Sequence, residues 1–362
     1  MSVVAEIRNL IARPARSRRG GMVGVDIGTA AIKIVQTESR GRSVRVTRST
    51  LIPRPVLSQS EGQTDPSIGL PELLKAHLGT SSAFAGESAA CVLSMSATPI
   101  QTLDLPAANR HEQRSMALVE LADDAGGRAL SLDCWPAPGT GKEGLFPVYV
   151  MSVPEEIATN AAEHLWNVGL RTHVLDGLPF VLARGARIAR PGEAGPIAVL
   201  DWGVSTATFV VARDGQPIYT RVFRNCGFRA VQHAVVNGFG VSLEDAQRLL
   251  SEYGLPDATA ISARRMEVQT MVQDLCAAAL HRLCDEIIRT MSYLKTQGSA
   301  LAASRILLLG GGGTLANVAR WLSETSETTV EPWSLPEAGD TAASSLPLWG
   351  AAISLSMLGS NA

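Results

Sequence analysis

One local pattern occurs twice in this chain and constrains its fold more than any other feature. An apolar, β-branched stretch runs into an Asp-x-Gly turn and is followed at once by a second apolar stretch, at residues 23–36 and again at 196–212. Such stretches bounded by glycine predict buried strands joined by a tight turn. The turn aspartates, Asp26 and Asp201, lie 175 residues apart, about half of the chain. We therefore predict an internal duplication that gives two related α/β domains facing one another.

A third glycine-rich turn follows an apolar strand near the end of the chain. The stretch Ile306–Leu309 leads directly into four consecutive glycines, Gly310, Gly311, Gly312 and Gly313. Glycines after a strand let backbone N–H groups approach phosphate oxygens with no side chain in the way. One such turn proves little, but this chain has three, and two of them carry an aspartate at the strand end.

The residues beside these turns supply the groups that a magnesium-bound polyphosphate needs. Carboxylates hold the metal, usually through its waters, while hydroxyls and a cation contact the phosphates. The chain offers these groups as Asp26, Asp201, Thr29, Thr206 and Lys33. A Walker P-loop is absent, and no G-x-G-x-x-G motif opens a helix with an acidic residue about 20 positions later, so Walker ATPases and Rossmann dehydrogenases fit poorly.

The composition of the chain further limits the kinds of protein that it can be. With 362 residues, of which 46% are hydrophobic and 18% charged, the chain can bury a large core in two domains. Its 32 basic and 34 acidic residues give no overall electrostatic argument for nucleic acid. No apolar run reaches the length of about 18 residues that predicts a membrane span, and the N-terminal arginines follow the apolar residues, the wrong order for a secretory signal.

The cysteines and histidines do not form a recognisable metal or disulfide pattern. Five cysteines without a C-x-x-C motif indicate a reducing compartment, and the six histidines are scattered. We therefore predict no metal centre built by protein ligands alone.

The predicted organisation starts with a basic tail or short amphipathic helix. Apolar residues recur at helical spacing within residues 3–12, and five arginines follow, so this segment is either a solvated terminus or a weak anchor for anionic lipid or a partner helix. The predicted segments are a tail (1–21), the first part of domain 1 (22–90), an inserted small subdomain (91–153), the end of domain 1 with a hinge helix (154–195), domain 2 (196–345) and a C-terminal hinge helix that returns to domain 1 (346–362).

Within this organisation, several elements are predicted individually. An exposed loop over residues 53–70 precedes a short helix at Pro71–His77. The inserted subdomain contains strands at Cys91–Met95, Ile100–Leu105 and Phe146–Val153 and a helix over His111–Asp123. In domain 2, Ser242 caps a helix, and residues 263–297 form one long amphipathic helix.

The turns resemble those of the superfamily of actin, sugar kinases and heat-shock ATPases. The run Asp26-Ile-Gly-Thr-Ala-Ala-Ile-Lys33 is similar to its first phosphate loop, Asp201-x-Gly203-x-x-Thr206 to its second, and Gly310–Gly313 to its adenosine loop. The order and spacing agree across nearly the whole chain. In that fold the nucleotide lies in a cleft between two halves, and helices near residues 176–187 and 348–357 act as the hinge.

This resemblance implies a set of site residues. The cofactor is ATP or ADP with magnesium, held through water by Asp26 and Asp201, with Asp201 and Asp176 as the catalytic candidates. The implied nucleotide contacts are Asp26, Gly28, Thr29, Lys33, Asp201, Gly203, Ser205, Thr206, Gln247, Gly310, Gly311, Gly312 and Gly313.

Within the superfamily the chain is most similar to the PilM family of type IV pilus assembly proteins, with FtsA a more distant relative. The similar stretches are Gln101–Pro106, residues 112–123, Val174–Arg184, Asn225–Arg229 and Leu243–Leu250. The family implies a cytoplasmic protein, peripheral to the inner membrane, in which nucleotide closes the cleft and a groove of the inserted subdomain binds the cytoplasmic tail of the membrane protein PilN. Such an assembly supports the pilus motor ATPases.

Several positions depart from the family pattern. Gln247 and Leu250 stand where relatives commonly have an acidic residue and a lysine near the adenosine. Thr208 replaces a common aspartate, and Trp202 replaces a small aliphatic residue. These departures imply weaker purine selectivity and, at most, a slow ATPase.

Two alternatives stay open. One is an FtsA-like tether that self-associates into polymers on a membrane, although its expected C-terminal amphipathic helix is not evident, because residues 348–362 are apolar and lack basic residues. The other is a small-molecule kinase of the sugar or acetate kinase type, which needs a general-base aspartate in a substrate cleft; no convincing motif for it is present.

Overall fold

The computed structural model describes residues 20–40, 43–54, 69–79, 84, 87–95, 97–123, 125–139, 141, 144–257, 262–336 and 346–358. The chain divides into two compact units: unit 1 runs to Val181 and resumes at Ala352, and unit 2 comprises Leu182–Ala351. The tail at residues 1–19 and most of the predicted loop at 53–70 lie outside the described residues.

Unit 1 contains two sheets. Its strands are β1 (Gly20–Ile27), β2 (Ala31–Arg40), β3 (Ser43–Pro53), β4 (Ser88–Leu93), β5 (Ile100–Pro106), β6 (Leu130–Pro136), β7 (Leu145–Pro154) and β8 (Arg171–Asp176). Its helices are α1 (Leu70–His77), α2 (Arg110–Leu121) and α3 (Glu155–Trp166), and α4 (Leu178–Ala189) begins here and ends in unit 2.

The larger sheet of unit 1 has the strand order β3-β2-β1-β4-β8. β1 to β3 form an antiparallel meander, and β4 and β8 run parallel to β1. Alternate residues of β1, namely Val23, Val25 and Ile27, are fully buried in a core that also contains residues of α1 and α3. On the opposite face, a β-carbon at Gly24 would overlap the carbonyl oxygen of Ala352, so the C-terminal residues pack directly on this strand.

The smaller sheet of unit 1 is antiparallel, with the order β5-β7-β6. Helix α2 contacts it and begins with a capping box, in which Asn109 Oδ1 accepts from the backbone N–H of Glu112 at 3.1 Å and Glu112 Oε2 accepts from the N–H of Asn109 at 3.0 Å. The strand expected at Cys91–Met95 is observed as β4, which pairs with β1 in the larger sheet. It joins that sheet because its residues are buried on both faces.

Unit 2 contains one mixed sheet and several helices. Its strands are β9 (Ile197–Trp202), β10 (Ala207–Arg213), β11 (Gln216–Phe223), β12 (Arg305–Leu309) and β13 (Thr329–Pro332). Its helices are α5 (Arg229–Phe239), α6 (Leu243–Glu252), α7 (Ala263–Thr296) and α8 (Val318–Ser326), and α9 (Leu346–Ser356) begins here and ends in unit 1.

The strand order in unit 2 is β11-β10-β9-β12-β13, which repeats the order of the larger sheet of unit 1 position by position. The meander is again antiparallel, and the last two strands again run parallel to the first. This repeat confirms the duplication predicted from the two Asp-x-Gly turns. The prediction of a long helix over residues 263–297 is confirmed by α7, and Ser242 caps α6 by accepting from the N–H of Asp245 at 3.1 Å.

None of the helices in the described ranges combines the length and the apolar character that are needed to cross a membrane.

Candidate functional site

The first Asp-x-Gly turn connects β1 to β2. The N–H of Gly28 donates to the carbonyl of Ala31 at 3.0 Å and closes the turn. Asp26 and Lys33 are directly paired across the two strands, and Lys33 Nζ lies 2.5 Å from Asp26 Oδ2. The side chains are only 14% and 12% exposed, respectively. Because few waters surround this ion pair, each charge is strongly felt by its partner.

The missing side chain of Gly28 leaves space beside this ion pair. A β-carbon at Gly28 would lie 3.0 Å from the carbonyl oxygen of Ala31 and 3.5 Å from Lys33 Nζ. Thr29, at the tip of the turn, is exposed. The turn therefore presents backbone, a hydroxyl and an ammonium group close together, which is the donor set that phosphate oxygens bind.

Arg54 supports the same turn and was missed by sequence reasoning. Its Nη1 donates to the carbonyl of Gly28 at 3.1 Å, and its backbone N–H donates to the carbonyl of Ala30 at 2.8 Å. No local motif could have indicated it, because the contact depends on the register between β2 and β3.

The structure places Asp176 in line with Asp26, although the two are 150 residues apart in sequence. Asp26 pairs with Val92 of β4, and Val92 pairs with Asp176 of β8. Residues paired in this way lie on one face, and two strand spacings separate their α-carbons by about 10 Å. Asp176 Oδ1 accepts from the N–H of Gly177 at 2.8 Å. A role for Asp176 in orienting water stays a prediction.

The second Asp-x-Gly turn connects β9 to β10, the strands that correspond to β1 and β2 in the order of the sheet. A β-carbon at Gly203 would lie 3.0 Å from the carbonyl oxygen of Thr206, the same distance as for Gly28 and Ala31. Here, however, the residue paired with Asp201 is Thr208, which is buried. Ser205 and Thr206 are partly exposed, so their hydroxyl groups are within reach of a ligand.

Backbone hydrogen bonds connect the segment at the start of α5 to the second Asp-x-Gly turn. The N–H of Phe228 donates to the carbonyl of Gly203 at 2.9 Å, and the N–H of Arg229 donates to that of Val204 at 3.0 Å. Arg229 Nε is buried and has no hydrogen-bond partner among the described residues. Sequence reasoning did not single out this cation, because the chain reaches it only after another hairpin strand.

The four-glycine turn lies against Asp201 and its neighbour. Gly310 has a φ of +83°, and a β-carbon there would lie 2.5 Å from Asp201 Oδ1. A β-carbon at Gly312 would overlap the ring of Trp202, whereas one at Gly311 would meet nothing within 4 Å. The structure therefore joins two of the predicted motifs within unit 2 and leaves Gly311 facing open space.

Trp202 explains why this turn needs glycine. Its side chain is buried, its Nε1 donates to the carbonyl of Cys226 at 2.8 Å, and its ring meets Phe228 edge-on with centroids 5.0 Å apart. The tryptophan thus fills the space between the four-glycine turn and the segment behind the second Asp-x-Gly turn. Trp202 therefore has a structural role, and the backbone of Gly312 packs directly against its ring.

The two departures near the predicted adenosine site differ in their placement. Gln247 is exposed on α6, whereas Leu250 is buried in the core of unit 2. The end of α6 is tied to the segment after the four glycines, since the N–H of Ala316 donates to the carbonyl of Leu250 at 3.2 Å. Leu250 therefore serves packing, and Gln247 stays a candidate for nucleotide contact.

The cysteines do not contribute reactive thiolates. All five are buried and free. Burial raises the pKa of the Cys91 thiol well above its ordinary value, and the nearby Asp26 carboxylate raises it further. Burial also raises the pKa of Cys276 to about 12 and that of Cys284, with a further contribution from Asp285, to about 11.

No three histidine, cysteine or acidic side chains in the described part of the chain come close enough to hold a metal. Magnesium would not require such a cluster, because it commonly keeps several waters and binds through one or two carboxylates plus phosphates. Asp26 in unit 1 and Asp201 in unit 2 each supply one carboxylate.

Together, the repeated mixed sheets, their Asp-x-Gly turns and the small antiparallel sheet define an actin-like fold. The structure is similar to that of a "PilM-PilN type IV pilus biogenesis complex", with a TM-score of 0.71 and 22% identity over 95% of this chain and 100% of the other. It is also similar to the ethanolamine utilization protein EutJ from Carboxydothermus hydrogenoformans, with a TM-score of 0.54, 15% identity and coverage of 98% and 96%.

A third similar structure is MreB5 of Spiroplasma citri bound to AMPPNP, with a TM-score of 0.51, 10% identity and coverage of 96% and 98%. No protein-family model matches the sequence, and no curated protein matches it significantly. The structural matches show the fold of the chain.

Proposed function

We propose that this chain is an ATP-binding, actin-like component of type IV pilus assembly that works as a nucleotide-gated scaffold in the cytoplasm at the inner membrane. The observation that carries the proposal is the pair of Asp-x-Gly turns at equivalent places in two sheets of the same strand order, one of which bears the ion pair between Asp26 and Lys33. The similarity to PilM over nearly the whole chain supports the pilus assignment.

In this proposal both Asp-x-Gly turns bind the phosphates of ATP or ADP. Gly28, Thr29, Gly203, Ser205 and Thr206 supply backbone N–H and hydroxyl donors, and Lys33 supplies the cation. Asp26 and Asp201 hold magnesium through its waters, and the bound metal would neutralise phosphate charge. A bound nucleotide in the similar MreB5 structure is consistent with such a role for the fold.

The adenosine would bind at Gly310–Gly313, with Gln247 of α6 nearby. The open space at Gly311 supports this part of the proposal, because a ligand can approach the backbone there without meeting a side chain.

Hydrolysis is proposed to be slow at most. Asp201 and Asp176 are the carboxylates available to orient a water. Thr208 occupies the position beside Asp201 where relatives commonly have a further aspartate, and a buried threonine cannot act as a base at neutral pH. The chain is therefore better suited to binding nucleotide than to turning it over.

The proposed partner is the cytoplasmic tail of an inner-membrane protein like PilN, bound by the inserted subdomain and supporting the pilus motor ATPase complex. The similar PilM structure is a complex with PilN. On this subdomain, α2 exposes Leu118 and Val119, the latter 76% exposed, which gives a partner apolar surface to cover. Residues 1–20 would add a peripheral membrane contact. The chain would also associate with further copies of itself.

The test is calorimetric titration of ATP with and without magnesium, with turnover followed on the same sample. We expect magnesium-dependent binding with little or slow turnover. Rapid turnover that requires an added small metabolite would indicate a kinase instead. Absence of any binding would refute the proposed nucleotide role.

A further inference from the structure

Arg229, the first residue of α5, has a buried side-chain nitrogen that lacks a partner. Its Nε is shielded from solvent and forms no hydrogen bond within the described part of the chain. By contrast, Lys33 at the first turn pairs with Asp26. Arg54 at the same turn donates to the carbonyl of Gly28. A buried donor without an acceptor carries a free-energy cost, which is larger for a charged group, and an oxygen atom of a bound ligand would remove that cost.

The backbone of Arg229 is held against the second Asp-x-Gly turn. Its N–H donates to the carbonyl of Val204, within that turn, at 3.0 Å. Gly227, two residues earlier, packs so closely on the turn that a β-carbon there would lie 2.5 Å from the carbonyl oxygen of Ser205. Ser205 and Thr206 of the turn are partly exposed. The start of α5 is therefore fixed beside residues that we propose bind phosphate.

The charge of Arg229 is added to that of the helix N-terminus itself. The unpaired backbone N–H groups at the start of a helix carry a partial positive charge, which favours acidic residues in the first turn and disfavours cations there. Helix α5 begins with a cation, and its first turn contains neither an acidic residue nor a side-chain cap. A bound anion next to Arg229 would balance both positive charges.

Arg229 also compensates for a difference between the two turns. The residue paired with Asp26 in unit 1 is Lys33, whereas the residue paired with Asp201 in unit 2 is the uncharged Thr208. The cation at the second turn comes instead from the helix that follows β11. Each Asp-x-Gly turn thus has a cation at hand, and the two cations reach their turns from different elements.

We infer that the Arg229 guanidinium binds a phosphate group held at the second Asp-x-Gly turn. A guanidinium is planar and presents parallel N–H donors that match two oxygens of one phosphate. The buried Nε is one donor of such a pair. The inference rests on the proposed function for the identity of the ligand, which is ATP or ADP. The same chemistry applies to free pyrophosphate, so the phosphate contact can be tested without the nucleoside.

The test is calorimetric titration of the full chain and its variants with pyrophosphate alone and with ATP and magnesium. We expect Arg229→Gln to weaken the binding of both ligands about 30-fold, because charge-assisted hydrogen bonds to phosphate are lost. Arg229→Lys keeps the charge but loses the planar fork, and it should weaken binding about five-fold. Without ligand, Arg229→Gln should unfold at no lower temperature than the unchanged chain, since it removes a charged donor that has no partner.

The matched control is Arg264→Gln, which removes an exposed arginine near the start of α7 and makes the same change in net charge. It should keep both affinities within about two-fold of the unchanged chain, because salt screens exposed charges that do not contact the ligand. Equal losses for Arg229→Gln and Arg264→Gln would overturn the inference. A lower unfolding temperature of Arg229→Gln without a loss of affinity would show a structural role and overturn it as well.

The two ligands separate a failure of this inference from a failure of the proposed function. If the unchanged chain binds pyrophosphate through Arg229 but does not bind ATP, the inference holds and the nucleotide proposal fails. If ATP binds equally well to the unchanged chain and to Arg229→Gln, the nucleotide proposal holds and the inference fails. Binding of neither ligand to the unchanged chain would overturn both.

Discussion

In unit 1, Asp26 faces Lys33 across the hairpin that carries the Asp-x-Gly turn; in unit 2, Asp201 faces Thr208 at the corresponding position. The two turns share one close approach, since a β-carbon on Gly28 or Gly203 would lie 3.0 Å from the carbonyl oxygen three residues later. What differs is the charge beside it, because unit 1 has a mostly buried ion pair and unit 2 has a buried hydroxyl.

The edge strands of the two sheets also differ, since a charged residue ends the strand in unit 1 and an aromatic residue follows the strand in unit 2. In unit 1 the edge strand β8 ends in Asp176. In unit 2 the corresponding edge strand, β13, is followed by Trp333, which is fully buried and donates from Nε1 to the carbonyl of Gly185 at 2.8 Å. The comparison teaches that the duplication preserved the strand order and the turn, while the side chains diverged. Unit 1 has an ion pair at its turn, whereas unit 2 has Asp201 opposite a buried threonine and a four-glycine turn packed on Trp202.

The largest expected effect comes from removing the carboxylate of the first turn. Asp26→Ala should weaken binding of ATP with magnesium at least 100-fold, because it removes the carboxylate that we propose holds the metal and takes away the ion pair with Lys33. Calorimetry measures the affinity, and circular dichroism confirms that the variant is folded. Unchanged ATP affinity in a folded Asp26→Ala protein would contradict the site assignment.

The second prediction tests the packing that distinguishes unit 2. Gly312→Ala should lower stability by about 2 kcal/mol, or about 6 °C in melting temperature, because its β-carbon would overlap the Trp202 ring. Gly311→Ala is the matched control, since its β-carbon meets nothing within 4 Å. Thermal unfolding compares the two. Equal stability of these variants would show that the turn does not rest on Trp202.

The third prediction compares the paired positions Lys33 and Thr208 directly. Lys33→Met should weaken ATP binding about 10-fold to 50-fold, since it removes the cation that we propose contacts the phosphates. Thr208→Val keeps the shape of a buried side chain and should change the affinity by less than about three-fold. If calorimetry gives similar losses for both variants, the charge asymmetry between the units has no role in binding.

The smallest expected effect concerns Gln247. Gln247→Glu introduces the acidic residue that the resemblance to the PilM family implies at this position and should strengthen ATP binding by about three-fold, with a smaller change for GTP. Glu244→Gln, which changes an exposed residue of the same helix, serves as the control. Competition titrations with the two nucleotides give the comparison, and identical shifts for ATP and GTP would exclude Gln247 as a purine contact.

Much of the fold could be predicted because its strands have strong local signals. Strands β1, β9 and β12 could be identified because each is an apolar run followed by glycine, and α7 because its apolar residues recur at helical spacing. The repeated strand and turn in β1 and β9 also predicted the duplication. The strand at β4 was found, but its sheet was not, since parallel pairing joins residues far apart in sequence. Strand β6 was missed, because its mixed polar and apolar residues lie between two turns.

The candidate site shows the same limit. The aspartates and glycines carry a motif, so they could be named from sequence. Arg54 contacts the first turn because β3 pairs with β2, and Arg229 contacts the second turn from the start of α5. Neither arginine belongs to a local sequence motif. The contact between Gly312 and Trp202 also required the structure, because it joins strand β9 to a turn more than 100 residues later.

The central claim is that both Asp-x-Gly turns and the four glycines bind the same nucleotide. Hydrogen exchange followed by mass spectrometry, on the full chain with and without ATP and magnesium, tests it most directly. The account predicts slower exchange at residues 26–33, 201–206 and 310–313 together, with all three changes lost in Asp26→Ala. Protection in the turn of one unit only, or in neither, would contradict it.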